Sequence, residues 1–160
     1  FDDVAFLLLT AVYVGVGFAS FAYIRLLEHG LTWSLLIILL IWFTDSGAYF
    51  VGKRFGKNKL WPSISPNKTI EGAVGGVILA ILLGVVFESI EPTVGFGKVV
   101  LLAIIVAVVG QLGDLVQSAY KRHYGVKDSG TLLPGHGGIL DRFDSMMIVF
   151  TVLVVLDIFA

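Results

Sequence analysis

The sequence predicts an all-α, polytopic integral membrane protein of about five transmembrane helices, with two polar connections on one face. Three observations point there. Hydrophobic residues make up 57% of the chain and charged residues only 14%, with a mean hydropathy of +0.93, whereas a soluble domain is about half apolar and roughly a quarter charged. Five apolar stretches approach the roughly 20 residues that span a bilayer as a helix. These runs are continuous and lack the alternation of a membrane barrel, so they are not expected to be strands.

The first stretch, Val4–Ile24, has neither the basic flank nor the small-residue cleavage site of a signal peptide. With Phe1 at its head, the chain reads as a piece of a longer protein. Leu31–Val51 is the second stretch, and Gly72–Ile90 the third. Glycines 72, 75, 76 and 84 in the third are expected to let helices approach closely. Val99–Leu115 is the fourth, and the shorter Ser145–Ala160 the fifth. Without repeats, low-complexity tracts or linkers, residues 1–160 read as one membrane-embedded domain.

Nine of the eleven Lys and Arg lie in two connections: Lys53, Arg54, Lys57, Lys59 and Lys68 between stretches two and three, and Lys121, Arg122, Lys127 and Arg142 between four and five. Short cytoplasmic loops are rich in such residues. Two connections separated by two crossings also emerge on the same side, so both are expected to face the cytoplasm. The net charge of −1 points to no nucleic-acid partner. With no cysteine, disulfides and thiolate metal sites are excluded, but carboxylate sites are not.

Carboxylates gather toward that face. Asp45 interrupts "IWFTDSGAYF" and Asp114 interrupts "VVGQLGDLVQ". Ionisable residues in membrane segments are costly and mark candidate sites, although a helix-end carboxylate in headgroup water is as good a reading of Asp45. Asp141 and Asp144, three apart, share a face of a helix beginning near Ile139 and need a cation between them, unless one simply caps the first turn. A hard cation takes one or two carboxylates with phosphate and water, and Asp114 is the third candidate ligand. Gly135, Gly137 and Gly138 leave backbone N–H groups open to phosphate at a helix N-terminus. His136 could donate to a phosphate oxygen or brace the turn. Lys121, Arg122, Lys127 and Arg142 supply charge for a polyphosphate. Ser65, Lys68 and Thr69 add a cation and two hydroxyls, in a segment expected to enter a helix with Ser65 as cap and Pro66 at its first position. No Walker-type phosphate loop is present.

The run "SAYKRHYGVKDSGTLLPGHGGILDRFD", Ser118 to Asp144, closely resembles the signature of phosphatidate cytidylyltransferases, also called CDP-diacylglycerol synthases. Tyr120 stands where that pattern has an aliphatic residue or Phe. "DSGAYFVGKRFGK" and "SPNKTIEG" resemble family segments too, whereas residues 1 to 44 share only hydrophobic character. The resemblance implies an enzyme that makes CDP-diacylglycerol and pyrophosphate from CTP and phosphatidate in the membrane. It also implies Mg²⁺ or Mn²⁺, with room for a second cation, and leaves a homodimer open. On that reading Asp114, Asp141 and Asp144 take metal. Lys121, Arg122, Lys127 and His136 take phosphates, and Lys68 and the Ser65 turn, with Thr69, take nucleotide or lipid phosphate. Gly137, Gly138 and Arg142 complete the phosphate-binding set. The rival readings are a CTP-dependent kinase of a polyprenol or other lipid alcohol, and a cation transporter using Asp45 and Asp114.

Overall fold

The computed structural model describes residues 2–92, 95–130, 138 and 140–159. Among these are five helices and one hairpin: α1 (Asp2–Leu26), α2 (Gly30–Phe55), β1 (Lys59–Trp61), β2 (Ser65–Thr69), α3 (Ile70–Ile90), α4 (Phe96–His123) and α5 (Leu140–Val155). Four helices are long and apolar enough to cross a membrane: α1 from Leu7, then α2, α3 and α4. The 16 residues of α5 rise about 24 Å, short of the roughly 30 Å hydrocarbon core. The protein is an all-α integral membrane protein, as its apolar runs predict.

Several boundaries differ from the sequence reading. α2 extends to Phe55 and α4 to His123, so Lys53, Arg54, Lys121 and Arg122 belong to last helical turns, where cations complement the helix dipole. The fifth helix begins at Leu140 and ends at Val155, five residues earlier at each end than the apolar run alone suggests. Ser65 does not cap a helix, and Pro66 is not its first residue. Both lie in β2, antiparallel to β1, with Lys59 opposite Thr69 and Trp61 opposite Ser65. Proline is tolerated there because each strand of a two-stranded sheet is an edge. Thr69 is the actual N-cap of α3, its Oγ1 accepting the Gly72 N–H at 3.1 Å.

The hairpin is closed at its base by Glu71. Its carboxylate accepts the backbone N–H groups of Lys57 and Asn58 at 3.1 and 3.2 Å and the Asn58 amide at 2.7 Å. The Asn58 carbonyl in turn accepts the Ile70 N–H at 2.9 Å. At the other end of α3, buried Glu88 accepts the N–H of Gly95, the N-cap of α4, at 2.7 Å.

The helices pack around Ile24, Leu36, Ile37, Leu40, Val106, Val149 and Leu153. Large apolar side chains such as Leu8, Trp42, Ile78 and Val116 stay exposed on the perimeter, where the surrounding solvent is lipid. α2 and α3 make the most extensive contact, and its closeness depends on glycine: a Cβ at Gly76 would lie 2.6 Å from the Thr44 carbonyl oxygen. Main chain cannot swing aside, so Gly76→Val should separate the helices and cost about 1–3 kcal/mol. The expected result is a lower thermal midpoint in detergent, with Gly15→Ala as the control because nothing lies within 4 Å of that position. An unchanged midpoint would show that the α2–α3 contact is not limiting.

α1 packs on α5. The Tyr13 hydroxyl donates to the Asp144 carbonyl at 2.8 Å, and the rings of Phe21 and Phe150 stand 5.0 Å apart. This contact fixes the first turns of α5 against a helix whose sequence carries no motif.

Candidate active site

Asp114, Gln117, Ser118 and Lys121 recur at helical spacing on α4, so they share one face. Lys68, projecting from β2, places its Nζ 2.5 Å from Asp114 Oδ2, and the Ser118 hydroxyl donates to Oδ1 at 3.1 Å. This pair is about one-third exposed because it borders a cavity of about 620 Å³. Asp45 and Lys53 of α2, Lys59 of β1, Thr69 and Gln111 also line that cavity. The Gln111 amide donates to the Ala73 carbonyl at 3.3 Å, tying α4 to α3 beside it.

A second pair lies about two turns further along α4. Lys121 Nζ donates to Asp141 Oδ1 at 2.8 Å, while Asp141 Oδ2 accepts the backbone N–H groups of Ser129 and Gly138 at 2.8 and 2.9 Å. Asp141 thus fastens both ends of the intervening segment to α4. Gly138 has no room for a side chain, because a Cβ would meet Ser129 Oγ and the Gly130 nitrogen. Burial raises the Asp141 pKa, but the hydrogen bonds from Lys121, Ser129 and Gly138 outweigh it and hold the carboxyl down at about 2. Its contribution to stability is therefore complete above the ordinary value of 3.8 and disappears as the pH falls toward 2. An acidic limb of an activity profile near neutrality would report another group.

Asp144 accepts from its neighbour Ser145, through the backbone N–H at 2.7 Å and the hydroxyl. Asp45, Asp114 and Asp144 lie within electrostatic range of one another, with Lys68 and Lys121 offsetting their charge. Among the described residues no three His, Cys, Asp or Glu side chains stand close enough to hold a metal by themselves. The donor chemistry nevertheless fits a hard cation that keeps water and substrate oxygens, since it consists of carboxylates, two of which already hold an ammonium at 2.5 and 2.8 Å. The buried Oε1 of Gln117, which no donor among the described residues reaches, adds another hard oxygen on the same face.

The structure therefore gathers Asp114, Lys68 and Thr69 at the cavity, and Lys121, Asp141 and Gly138 at the adjoining clasp. Thr69 spends its hydroxyl as an acceptor in the α3 cap, and the Gly138 N–H, expected to face phosphate, goes to Asp141. Arg122 donates to the Val126 carbonyl at 2.9 Å and terminates α4. Lys127 is exposed, and Ser65 is not among the cavity-lining residues. His136, Gly137 and the side chain of Arg142 lie outside the described residues. Sequence reasoning missed Tyr49, Lys53, Lys59, Asn67 and Gln111 as cavity residues. The available signal was polar or small residues recurring along one face of α2.

Residues 1–159 match the cytidylyltransferase family, a match that extends through residues 1 to 44, where the sequence itself shows only hydrophobic character. The chain is 54% identical over 151 residues to the phosphatidate cytidylyltransferase of Bacillus subtilis (strain 168), covering 93% of this chain and 56% of that protein. It is 50% identical over 157 residues to the phosphatidate cytidylyltransferases of Staphylococcus epidermidis (strain RP62A) and Staphylococcus haemolyticus (strain JCSC1435), covering 98% of this chain and 60% of each relative. The chain spans somewhat under two thirds of the length of these relatives. With nearly every residue aligned and about half identical to such proteins, the chain belongs to the cytidylyltransferase family.

Proposed function

We propose that this chain carries the machinery that transfers a cytidylyl group from CTP to phosphatidate, giving CDP-diacylglycerol and pyrophosphate. The observation that supports this most is a cavity bordered by the Lys68–Asp114 pair, with the Lys121–Asp141 pair about two turns along the same face of α4, at one end of an otherwise lipid-facing bundle. One substrate is anchored in lipid and the other is dissolved in water, so their reaction requires such a boundary.

The phosphate monoester of phosphatidate is largely ionised near neutral pH. A phosphate oxygen attacks the α-phosphorus of CTP, the bond from that phosphorus to the α–β bridging oxygen breaks, and pyrophosphate leaves with the electron pair. No strong base is needed; the difficulty is bringing two anions together. Lys68 and Lys121 supply fixed positive charge, and Arg122, Lys127, Arg142 and His136 belong to the same phosphate-binding set. Ser65, Thr69, Gly137 and Gly138 complete that set. Asp114, Asp141 and Asp144 would hold Mg²⁺ or Mn²⁺, with space for a second cation. Such an ion, when bound, neutralises developing phosphate charge.

Incubating the full-length protein with CTP, Mg²⁺ and short-chain phosphatidate should release pyrophosphate. Release of CDP instead would identify phosphoryl transfer, and cation flux without nucleotide would identify a transporter; either result sinks this reading.

The concentration of Lys and Arg supports a cytoplasmic site. Single cysteines at Asn58 and Ser129 should be labelled by an impermeant thiol reagent from one and the same side, the cytoplasmic one. Labelling from opposite sides would separate the two clusters and exclude a shared site.

A further inference from the structure

One wall of the cavity is not explained by either ion pair. Along α2, Asp45, Tyr49 and Lys53 recur every four residues, Gly56 follows as the C-cap, and all line the cavity. The three side chains form one helical face about 12 Å long. Lys59, on β1, lines it as well. Of the five cations from Lys53 to Lys68, three border the cavity, while Arg54 and Lys57 do not. A mere excess of positive charge on one side of a membrane gives no reason for that sorting.

Lys68 is paired with Asp114, but among the described residues neither Lys53 nor Lys59 forms an ion pair. Lys53 Nζ rests 5.6 Å from the centroid of the Tyr49 ring, one turn away on the same face. Arg54 is turned to Phe55 instead. The result is a cavity bordered by three ammonium groups, with the carboxylates of Asp45 and Asp114 among them. Its volume of about 620 Å³ falls within the roughly 300–1,000 Å³ of small-molecule sites. A lipid phosphate monoester is a single compact anion and needs no run of three cations. An extended polyanion does.

We propose that this cavity is the triphosphate subsite, with Lys53 and Lys59 as further phosphate-binding residues beside Lys68, and Tyr49 as a positioning residue that holds the Lys53 ammonium. The nucleotide assignment rests on CTP being a substrate, as proposed above. It resolves which phosphate Lys68 serves.

The test uses the full-length enzyme in mixed micelles, with CTP and short-chain phosphatidate varied separately. Lys53→Gln and Lys59→Gln should each raise the KM for CTP by about tenfold, one charge-assisted contact apiece. The KM for phosphatidate should stay within about twofold. Arg54→Gln and Lys57→Gln remove equal charge off the cavity and should leave both constants unchanged. Tyr49→Leu should raise the KM for CTP, and Tyr49→Phe, which keeps the ring, should not. If the increase falls on phosphatidate, the cavity holds the lipid phosphate and the proposal is overturned. It is equally overturned if the Arg54 and Lys57 variants behave like the cavity variants, or if no variant changes. Calorimetric binding of inorganic tripolyphosphate requires no turnover. Wild type should bind it more tightly than the Lys53→Gln/Lys59→Gln double variant, and equal binding overturns the subsite even if CTP proves not to be the substrate. Absence of pyrophosphate release by wild type, with tripolyphosphate binding intact, would count against the cytidylyl-transfer reading alone.

Discussion

Asp141→Asn should lower the rate of pyrophosphate release by about 100-fold or more, the scale on which a fixed electrostatic contact in a reaction site acts. Asn retains one oxygen, which can accept the N–H groups of both Ser129 and Gly138 as Oδ2 now does. Its amide, however, places a donor where a carboxylate oxygen now meets either those groups or Lys121. The charge opposite Lys121 is also lost, and with side-chain exposures of 16% and 9% the pair has little water to replace it. Stability should therefore fall together with activity, so the single variant is ambiguous. Lys121→Gln/Asp141→Asn removes both charges, and its melting temperature should recover part of the loss because no unpaired charge stays buried. Activity should remain as low as in either single variant, since groups that act as a unit are non-additive. Recovery of activity along with stability would make the pair purely structural.

Asp114→Asn should be comparably damaging, for a different reason. The side chain borders a cavity, Ser118 can still donate to the remaining oxygen, and Lys68 can reach water. The fold should barely notice. Activity should drop by about two orders of magnitude if the proposed hard-cation site loses a charged oxygen. Raising Mg²⁺ or Mn²⁺ should restore part of it if Asp114 holds the ion. A loss that is insensitive to metal, with Mn²⁺ affinity unchanged, would mean that Asp114 acts only by placing Lys68.

The legible parts of this molecule were those governed by local periodicity. Long apolar runs announced the helices, and the Asp141–Asp144 spacing announced a shared helix face. Glycines at 72 and 76 announced close packing. The hairpin was hidden because three-residue β1 and proline-containing β2 carry almost no strand signal, and Ser65-Pro66 obeys a helix-entry preference that pairing with β1 overrides. Partners far apart in sequence were also invisible. Nothing in residue 68 names residue 114, and nothing in "TAVYVGVGF" marks Tyr13 as the residue that grips the Asp144 carbonyl. The cations from Lys53 to Lys68 were visible but were absorbed by the simpler account of membrane orientation. Only the cavity separates Lys53 and Lys59 from Arg54 and Lys57.

The grip of α1 on α5 also orders events in time. Tyr13 and Asp144 are 131 residues apart, so Tyr13 is already in the bilayer while most of this region is still being translated. α2 and α3 are joined by a short hairpin and can pair early, at small loop-closure cost. Among the described helices α5 is made last, and Asp141, the carboxylate that Lys121 meets, comes with it. A ribosome that stalls after α4 therefore leaves an inserted, partly packed chain with a finished cavity and an unfinished clasp.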